Sequence, residues 1–281
     1  MKMILRRIAA ADAKEVAVFL DSRALVLRWL VAFFQHFEEL PSEEERYWSL
    51  WRGDACDTTG LQSVVAHFFQ SGTTYVCAEP TADLPTLEDL FDEELLPEKV
   101  VGEAGLLDRW RVGFPGFTAR ASDWKEITVL ESTLEPGCRA EPPGFRGATL
   151  SDLPALEQYG QLLEAELEEE FARDFRSLVE HGLVFVVEEG GRLKGYVRSN
   201  FSDGRYVHAG GLYVHPLYRK SGVGRSLARG LAVRALCELG ARVILDAYAE
   251  NMAAVRAYEH AGYACVGHGL EARFGDGAWR G

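Results

Sequence analysis

The sequence is poor in paired cysteines, in long apolar runs and in basic residues. Its five cysteines include no Cys-x-x-Cys pair, so the pattern indicates neither a disulfide framework nor a zinc site, and we expect no metal. No segment holds the run of about eighteen uncharged apolar residues that a membrane helix needs, and no apolar stretch of signal-peptide length follows the basic start. We therefore expect a cytoplasmic protein that has no membrane partner.

Basic residues are outnumbered, because 43 Asp and Glu face 30 Lys and Arg and give a formal net charge of −13. Such a chain repels phosphate backbones, so we expect no nucleic-acid partner. Hydrophobic residues at 47% and charged residues at 26% are typical of a globular protein that folds in water. A length of 281 residues favours two globular units over a single core.

Two stretches of equal length, 47–80 and 183–216, each contain three short strand-like runs that are separated by turn residues and closed by a proline. Each stretch is followed by a helical pattern, about 84–96 in the first half and 222–239 in the second, and then by another strand-like run. This repetition predicts an internal duplication of an α+β unit.

Proline and glycine are concentrated between residues 135 and 147. A cluster of these residues between two periodic segments is typical of a linker. We therefore expect one domain at residues 1–135 and a second domain at residues 144–281.

In the second half, a strand-like run that ends at Val214 leads into the segment 219–225, after which a helical pattern begins. Gly222 and Gly224 let the backbone approach a ligand closely, and successive N–H groups at the start of a helix attract an anion such as pyrophosphate. Taken alone, two glycines are also typical of an ordinary strand-to-helix turn. The segment adds three basic side chains, Arg219, Lys220 and Arg225.

Further along, the segment 251–258 reads Asn-x-x-Ala-x-x-x-Tyr, and Gly262-Tyr263 opens a last strand-like run. Together with the Arg-x-x-Gly-x-Gly loop at 219–224, these motifs resemble those of the GNAT acetyltransferase superfamily, in the family's order. Residues 146–156 are similar to the family's first strand and the start of its first helix. The resemblance covers about residues 144–275.

The resemblance implies an α+β fold of tandem GNAT-like halves, each with a mixed, mostly antiparallel sheet flanked by helices. It also implies that acetyl-CoA, as co-substrate, binds in the second half between the fourth and fifth strands, which splay apart. Strand backbone would hold the pantetheine arm, the loop amides would cradle the pyrophosphate, and Asn251 would line the channel. The implied cofactor-binding residues are Leu212, Tyr213, Val214, Arg219, Lys220, Ser221, Gly222, Val223, Gly224, Arg225 and Asn251.

Tyr258 takes the position of the family's general acid, which protonates the departing thiolate. A phenol with an ordinary pKa of about 10 is protonated at neutral pH and can donate this proton. In histone-type members a glutamate that precedes the phosphate loop acts as the base, and the same count back from Arg219 leads here to His208. An imidazole ordinarily titrates at about pH 6.5. Asp246, Tyr248 and Glu250 are alternative bases, and a core tyrosine is the alternative role for Tyr258.

The first half departs from this pattern. The segment after Pro80 is acidic and lacks glycine, so we expect no amide cradle there. Trp110 lies near the place of the catalytic tyrosine, although an indole cannot act as a general acid. These features indicate a degenerate GNAT-like N-terminal domain that binds no CoA, in a tandem layout similar to that of mycothiol synthase.

We therefore expect an enzyme, an N-acetyltransferase that moves an acetyl group from acetyl-CoA to a primary amine by direct attack in a ternary complex. The amine can belong to a small molecule or a peptide, and the protein can be a monomer or a homodimer. The alternative is a non-catalytic protein that binds or senses acyl-CoA. The acidic run 164–170 favours a solvated helix face over an acceptor site, and we expect Cys237 and Cys265 to be buried.

Overall fold

The structure is a computed structural model that describes residues 3–8, 10–21, 27–35, 46–52, 61–68, 72–79, 97–138, 140–167 and 174–275. The helices in these ranges are α1 (Ala13–Asp21), α2 (Arg28–Gln35), α3 (Ala104–Gly113), α4 (Pro115–Arg120), α5 (Leu153–Leu167), α6 (Phe175–Glu180), α7 (Val223–Leu239) and α8 (Met252–Ala261). The strands are β1 (Met3–Arg7), β2 (Arg46–Arg52), β3 (Leu61–Phe68), β4 (Thr73–Ala78), β5 (Lys99–Glu103), β6 (Ala121–Ser132), β7 (Phe145–Gly147), β8 (Val184–Glu189), β9 (Arg192–Ser202), β10 (Tyr206–Val214), β11 (Arg242–Tyr248) and β12 (Tyr263–Phe274). Within the described ranges, no helix combines the length and the apolar character needed to cross a membrane.

The chain divides into two compact units, residues 1–127 with 267–281, and residues 128–266. This division differs from the expected domains 1–135 and 144–281 in two places. The second unit begins inside β6, before the segment rich in Pro and Gly, and the last residues of the chain belong to the first unit. The end of β12 belongs there because it pairs with β5, so its backbone hydrogen bonds are made within the first unit.

The first unit contains an antiparallel meander in the order β1-β2-β3-β4. β5 then pairs parallel to β4, and the end of β12 pairs antiparallel to β5. Buried residues run without interruption along most of β3, as expected for a strand that is covered on both faces. Helices α3 and α4 contribute Leu107, Trp110 and Phe117 to the core of this unit.

The second unit repeats this plan, with an antiparallel series β7-β8-β9-β10 and β11 parallel to β10. The end of β6 lies next to β11, and the start of β12 lies next to β6. The strand runs predicted within 183–216 and the helix predicted at 222–239 are confirmed, while the helix predicted at 84–96 lies outside the described residues. The predicted α+β class, with mostly antiparallel strands and flanking helices in both halves, is confirmed.

Two clusters of buried side chains cover the strands of the second unit. One cluster contains residues of α7 and α8, such as Leu231 and Tyr258. The other contains residues of α5 and α6, such as Leu156 and Val179. Since successive side chains of a strand point to opposite faces, β10 contributes to both clusters. We refer below to the face of β10 that packs on the first cluster as the α7/α8 face.

Cys237 in α7 and Cys265 in β12 are exposed, so the expectation that both thiols are buried is wrong. The last residues of α7, from Cys237 onward, are all exposed because the helix has passed the end of the core. Cys265 lies in the exposed section near the start of β12. The hydrophobic character of cysteine therefore did not predict the exposure of these two thiols.

Gly230 lies on the buried side of α7, where the ring of Phe145 packs against its backbone. Glycine to alanine in a helix ordinarily stabilises by about 0.5–1 kcal/mol. Here an added Cβ would overlap the Phe145 ring, so we expect Gly230→Ala to lower the free energy of unfolding by about 1–3 kcal/mol. Denaturant unfolding measures this, with Gly105→Ala in α3 as the control, because a Cβ at Gly105 meets open space. Equal or higher stability of Gly230→Ala would contradict the packing.

Candidate active site

Strands β10 and β11 run parallel but pair over only part of their length. The paired residues run from Tyr206 with Arg242 to Ala209 with Leu245. Beyond Ala209, the pairing of β10 with β9 becomes irregular, and Gly211 has a φ of +60°, a conformation that favours glycine. In the described residues no pairing joins the last parts of β10 and β11, so the two strands separate where the sequence predicts a cofactor site.

The predicted phosphate-binding loop connects β10 to the start of α7. Lys220 and Gly222 have φ values of 61° and 89°, so the chain turns sharply before the helix begins. The hydrogen bond from the Ser226 N–H to the Gly222 carbonyl opens the ladder of α7. The N–H groups that precede Ser226 in the helix therefore have no acceptor within α7, and they carry the partial positive charge of its N-terminus. This arrangement suits an anion.

Gly224 lies where three elements meet. A Cβ added at this position would contact Val214 of β10 at 3.6 Å and Ala257 of α8 at 3.9 Å. The loop, the end of β10 and the helix that carries Tyr258 therefore lie side by side. Because Gly224 has no side chain, space remains between the loop, the end of β10 and the helix that carries Tyr258.

The three strand residues predicted to bind the cofactor do not share one face of β10. Leu212 and Val214 pack on the α7/α8 face, whereas Tyr213 belongs to the cluster of α5 and α6. Burial, together with the nearby charge of Glu166, raises the pKa of Tyr213 to about 12. The side chain of Tyr213 thus lies on the opposite side of the sheet from Tyr258. Only the backbone of Tyr213 can therefore take part in the predicted cofactor binding.

Arg219, predicted to contact the cofactor, is bound to protein groups. Its Nη2 lies 2.6 Å and 2.7 Å from the two carboxylate oxygens of Glu166, and its Nε donates to the Val214 carbonyl at 3.0 Å. The Tyr213 hydroxyl donates to the same carboxylate at 3.3 Å. Glu166 is exposed, as expected for a solvated helix face, and it also joins the end of α5 to the loop. Residues 168–170 lie outside the described residues.

Tyr258 lies in α8 and is 7% exposed. In the described part of the chain, no group forms a hydrogen bond with its hydroxyl. Burial, with a smaller contribution from the negative charge of Asp246, raises the pKa of Tyr258 to about 12. The phenol is therefore protonated at neutral pH. The hydroxyl of the neighbouring Tyr263 differs, because it donates to the Ala228 carbonyl at 2.9 Å.

His208 and Asp246, which the sequence proposes as alternative bases, are partners. His208 Nε2 lies 3.2 Å from Asp246 Oδ2, across the paired section of β10 and β11. On its other side, His208 Nδ1 lies 3.4 Å from Asn200 Nδ2. The Asn200 amide nitrogen can only donate, so Nδ1 is the acceptor and Nε2 carries the proton that it donates to Asp246. The negative charge of Asp246, the partner of His208, also acts on Tyr258.

Asn251, predicted to line the cofactor channel, caps α8. Its side-chain oxygen accepts a hydrogen bond from the Ala254 N–H at 3.1 Å, the usual contact of an asparagine at the N-terminus of a helix. The signal for this role was present in the sequence, because the asparagine comes directly before a helical pattern.

The first unit has a tryptophan at the place that Tyr258 takes in the second. Trp110 is the seventh residue of α3, as Tyr258 is the seventh residue of α8. Trp110 is 1% exposed, and its ring meets that of Phe117 edge-on with centroids 5.2 Å apart. A core aromatic residue therefore fills the corresponding position of the first unit.

The fold and the site define a two-unit α+β protein whose second unit places a glycine loop, at the start of a helix, beside the helix that carries a buried tyrosine. Residues 149–263 match the model of the acetyltransferase (GNAT) family. The second half of the chain is therefore similar to the GNAT family over these residues.

Solved structures share the fold over nearly the whole chain. A GNAT acetyltransferase from Colwellia psychrerythraea is 15% identical, with a TM-score of 0.61 and coverage of 97% of this chain and 100% of that one. A GCN5-related N-acetyltransferase from Sphaerobacter thermophilus is 17% identical, with a TM-score of 0.61 and coverage of 96% and 95%. A tandem GNAT protein from the clavulanic acid biosynthesis pathway is 15% identical, with a TM-score of 0.57 and coverage of 98% and 99%. These likenesses confirm the tandem GNAT-like fold, and a comparison with curated proteins gives no match.

Proposed function

We propose that this protein is an N-acetyltransferase that moves an acetyl group from acetyl-CoA to a primary amine by direct attack in a ternary complex. The observation that carries the proposal is the meeting of three elements at Gly224, namely the glycine loop, the end of β10 and the helix of Tyr258. A long thioester substrate needs such a place, with anion-binding amides at one end and a proton donor at the other. The family match of the second half supports the same conclusion.

The residues present fit the parts of acetyl-CoA. Gly222 and Gly224 place no side chain over the loop amides, which suit a pyrophosphate. Leu212 and Val214 offer backbone groups and apolar side chains on the α7/α8 face for the pantetheine arm. When bound, acetyl-CoA supplies the thioester carbon that the amine attacks and the thiolate that leaves. The other proposed binding residues are Tyr213, Arg219, Lys220, Ser221, Val223, Arg225 and Asn251.

The chain's own side chains carry the two proton transfers. Tyr258 donates its phenolic proton to the leaving sulfur, and its raised pKa keeps that proton in place until negative charge develops. His208 takes at Nδ1, in place of the Asn200 amide contact, the proton that the amine loses as the C–N bond forms, and Asp246 fixes the orientation of its ring. The amine attacks the thioester directly, so the mechanism needs no enzyme nucleophile.

The proposal is tested by measuring thiol release when the protein is mixed with acetyl-CoA and a panel of primary amines. Cationic amines are screened first, because the net charge of −13 attracts them. Thiol release with formation of the N-acetyl product for at least one amine is the expected result. Bound CoA with no transfer to any amine would contradict the enzyme proposal and favour a sensing protein.

We expect His208→Ala to lower kcat about tenfold near pH 7, because general-base catalysis is lost. The deficit should shrink as the pH rises, since hydroxide can then accept the proton. The measurement is kcat from about pH 6 to 10, and His181→Ala, at an exposed histidine outside the site, is the control. A His208→Ala profile that matches the wild type in height and shape would remove His208 as the base and leave Asp246 as the first alternative.

We also propose that residues 1–135 form a degenerate GNAT-like domain without a cofactor site and that residues 144–281 carry the active site. The buried Trp110 at the place of Tyr258 supports this division of roles. The number of CoA molecules bound per chain tests it, as argued in the Discussion. The cytoplasmic location stays a prediction.

A further inference from the structure

Two free thiols of the second unit, Cys138 and Cys237, lie next to each other although they are 99 residues apart in the sequence. The Sγ of Cys237 donates to the carbonyl oxygen of Cys138 at 3.9 Å. Because the carbonyl and the thiol of one residue branch from the same Cα, the sulfur of Cys138 is close to that of Cys237 as well. A contact between residues so far apart in the chain leaves no motif such as Cys-x-x-Cys.

Further contacts with α7 hold the two thiols together. Arg229 Nη2 lies 3.2 Å from the Sγ of Cys138, and Arg234 Nε donates to a carboxylate oxygen of Glu141 at 2.6 Å. Cys138 and Glu141 therefore both lie against the helix that carries Cys237. The short distance between the thiols thus follows from packing at several residues and not from one contact.

Both thiols are accessible, since Cys237 is exposed and Cys138 is partly exposed. Cys138 ends a turn in which its N–H donates to the Glu135 carbonyl at 3.1 Å, and residues 135–137 of this turn are exposed. A disulfide needs two Cβ atoms about 3.5–4.5 Å apart. Side-chain rotation and a small shift of the exposed turn can bring the two residues to that distance, because no core side chain has to move.

The surroundings of the two sulfurs differ, and the difference suggests a role for each. The guanidinium of Arg229 lies beside the sulfur of Cys138, so a positive charge faces any negative charge that develops there during a reaction. Cys237 lies at the exposed end of α7, where its thiol can approach Cys138 from solvent. Cysteines that respond to oxidants are accessible, and many have a second cysteine beside them that completes a disulfide.

We infer that Cys138 and Cys237 form a reversible disulfide when the protein meets a hydroperoxide. The sulfur of Cys138 attacks hydrogen peroxide, so an S–O bond forms, the O–O bond breaks and one water leaves. The sulfur of Cys237 then attacks this sulfenic acid, so the S–S bond forms, the S–O bond breaks and a second water leaves with the remaining thiol proton. Two thiols thus lose two electrons and two protons, and one peroxide becomes two waters.

The bridge would tie the turn before β7 to α7, the helix that begins at the glycine loop. A dithiol reductant reverses it by thiol exchange, and a reversible disulfide is compatible with a reducing compartment. The inference does not rest on the proposed function, because neither thiol belongs to the proposed active site.

Treatment of the native full-length protein with hydrogen peroxide, followed by alkylation and mass spectrometry, tests the inference. The mass should fall by two hydrogens, digestion should give one peptide pair joined through Cys138 and Cys237, and dithiothreitol should restore both thiols. Cys138→Ser and Cys237→Ser should each abolish the bridge. Cys265→Ser, which removes an exposed thiol of β12, is the control and should form the bridge as the wild type does.

Further variants test the role of each residue. In Cys237→Ser, the oxidised Cys138 should stop at the sulfenic acid, which dimedone traps. Arg229→Gln should slow the oxidation of Cys138 at least about threefold, and Arg229→Lys should recover part of the rate because it keeps the charge. Arg256→Gln removes the same charge from an exposed position of α8 and should leave the rate unchanged. Thermal melting of each reduced variant checks that it is folded.

Stability provides a second readout, because a bridge across 99 residues restricts the unfolded chain. The oxidised wild type should melt at least about 4 °C above the reduced protein, and peroxide should not raise the melting temperature of Cys138→Ser. A bridge that forms only after unfolding in urea, that joins two molecules, or that lowers the melting temperature would overturn the inference. These measurements use no CoA, so their result is separate from that of the acetyl transfer assay.

Discussion

Replacing Tyr258 by phenylalanine is expected to lower kcat for acetyl transfer about a hundredfold or more, while the affinity for CoA stays within about twofold. The hydroxyl is the only group removed, and it makes no hydrogen bond in the described part of the protein. The folded state should therefore lose little stability. Steady-state kinetics, calorimetric CoA binding and thermal melting measure the three quantities on one preparation.

Tyr263→Phe is the matched control for this prediction. Its ring lies beside that of Tyr258, with centroids 6.3 Å apart, and it is equally buried, but its hydroxyl bonds the Ala228 carbonyl. Removing that hydroxyl should cost about 1 kcal/mol of stability and leave kcat nearly unchanged. The reverse pattern, in which Tyr258→Phe is unstable but active, would make Tyr258 a core tyrosine and not the general acid.

The raised pKa of Tyr258 gives the acid a distinct pH signature. With a pKa of about 12, the phenol keeps its proton through the neutral and mildly alkaline range. Its deprotonation should therefore cause no fall in kcat below about pH 11. A fall in the wild-type rate near pH 9 that is absent in Tyr258→Phe would contradict this burial-based shift.

The parts of the site that the sequence predicted are those encoded over a few neighbouring residues. The glycines at Gly222 and Gly224 place a sharp turn at the start of a helix, and both the turn and the helix follow from local conformational preferences. The strand triplets are likewise visible because each short strand-like run is bounded by turn residues. Tyr258 and Trp110 occupy corresponding helix positions, which the repeat of strands and helices brought out.

The parts that the sequence did not predict depend on residues that are far apart in the chain. Glu166 pairs with Arg219 across 53 residues, and opposite charges at such a distance give no local pattern. The partnership of His208 and Asp246 needs the register of two strands, which composition does not fix. The pairing of the end of β12 with β5 is another contact between distant residues. Because of it, the unit boundaries differ from those predicted from the segment rich in Pro and Gly.

Gly222→Asp is expected to weaken CoA binding about a hundredfold or more. Gly222 has a φ of +89°, so any side chain there strains the backbone, and a carboxylate would put negative charge where the loop amides are proposed to meet a pyrophosphate. Steric conflict within the protein is not the cause, because the nearest atom to an added Cβ is Arg225 Nη2 at an ordinary 3.6 Å. Calorimetric titration of CoA gives both the affinity and the number of sites.

A pair of alanine variants separates backbone strain from ligand conflict. Gly222 and Gly240 cap the two ends of α7, both in the left-handed region, with φ of 89° and 64°. Gly222→Ala and Gly240→Ala should each lose about 1–2 kcal/mol of stability, but only the change at Gly222 should weaken CoA binding. Equal effects of both variants would assign the loss to helix destabilisation.

Because the first half lacks a glycine loop after Pro80, wild-type protein should bind one CoA per chain, and two sites would show that the first half retains a cofactor site.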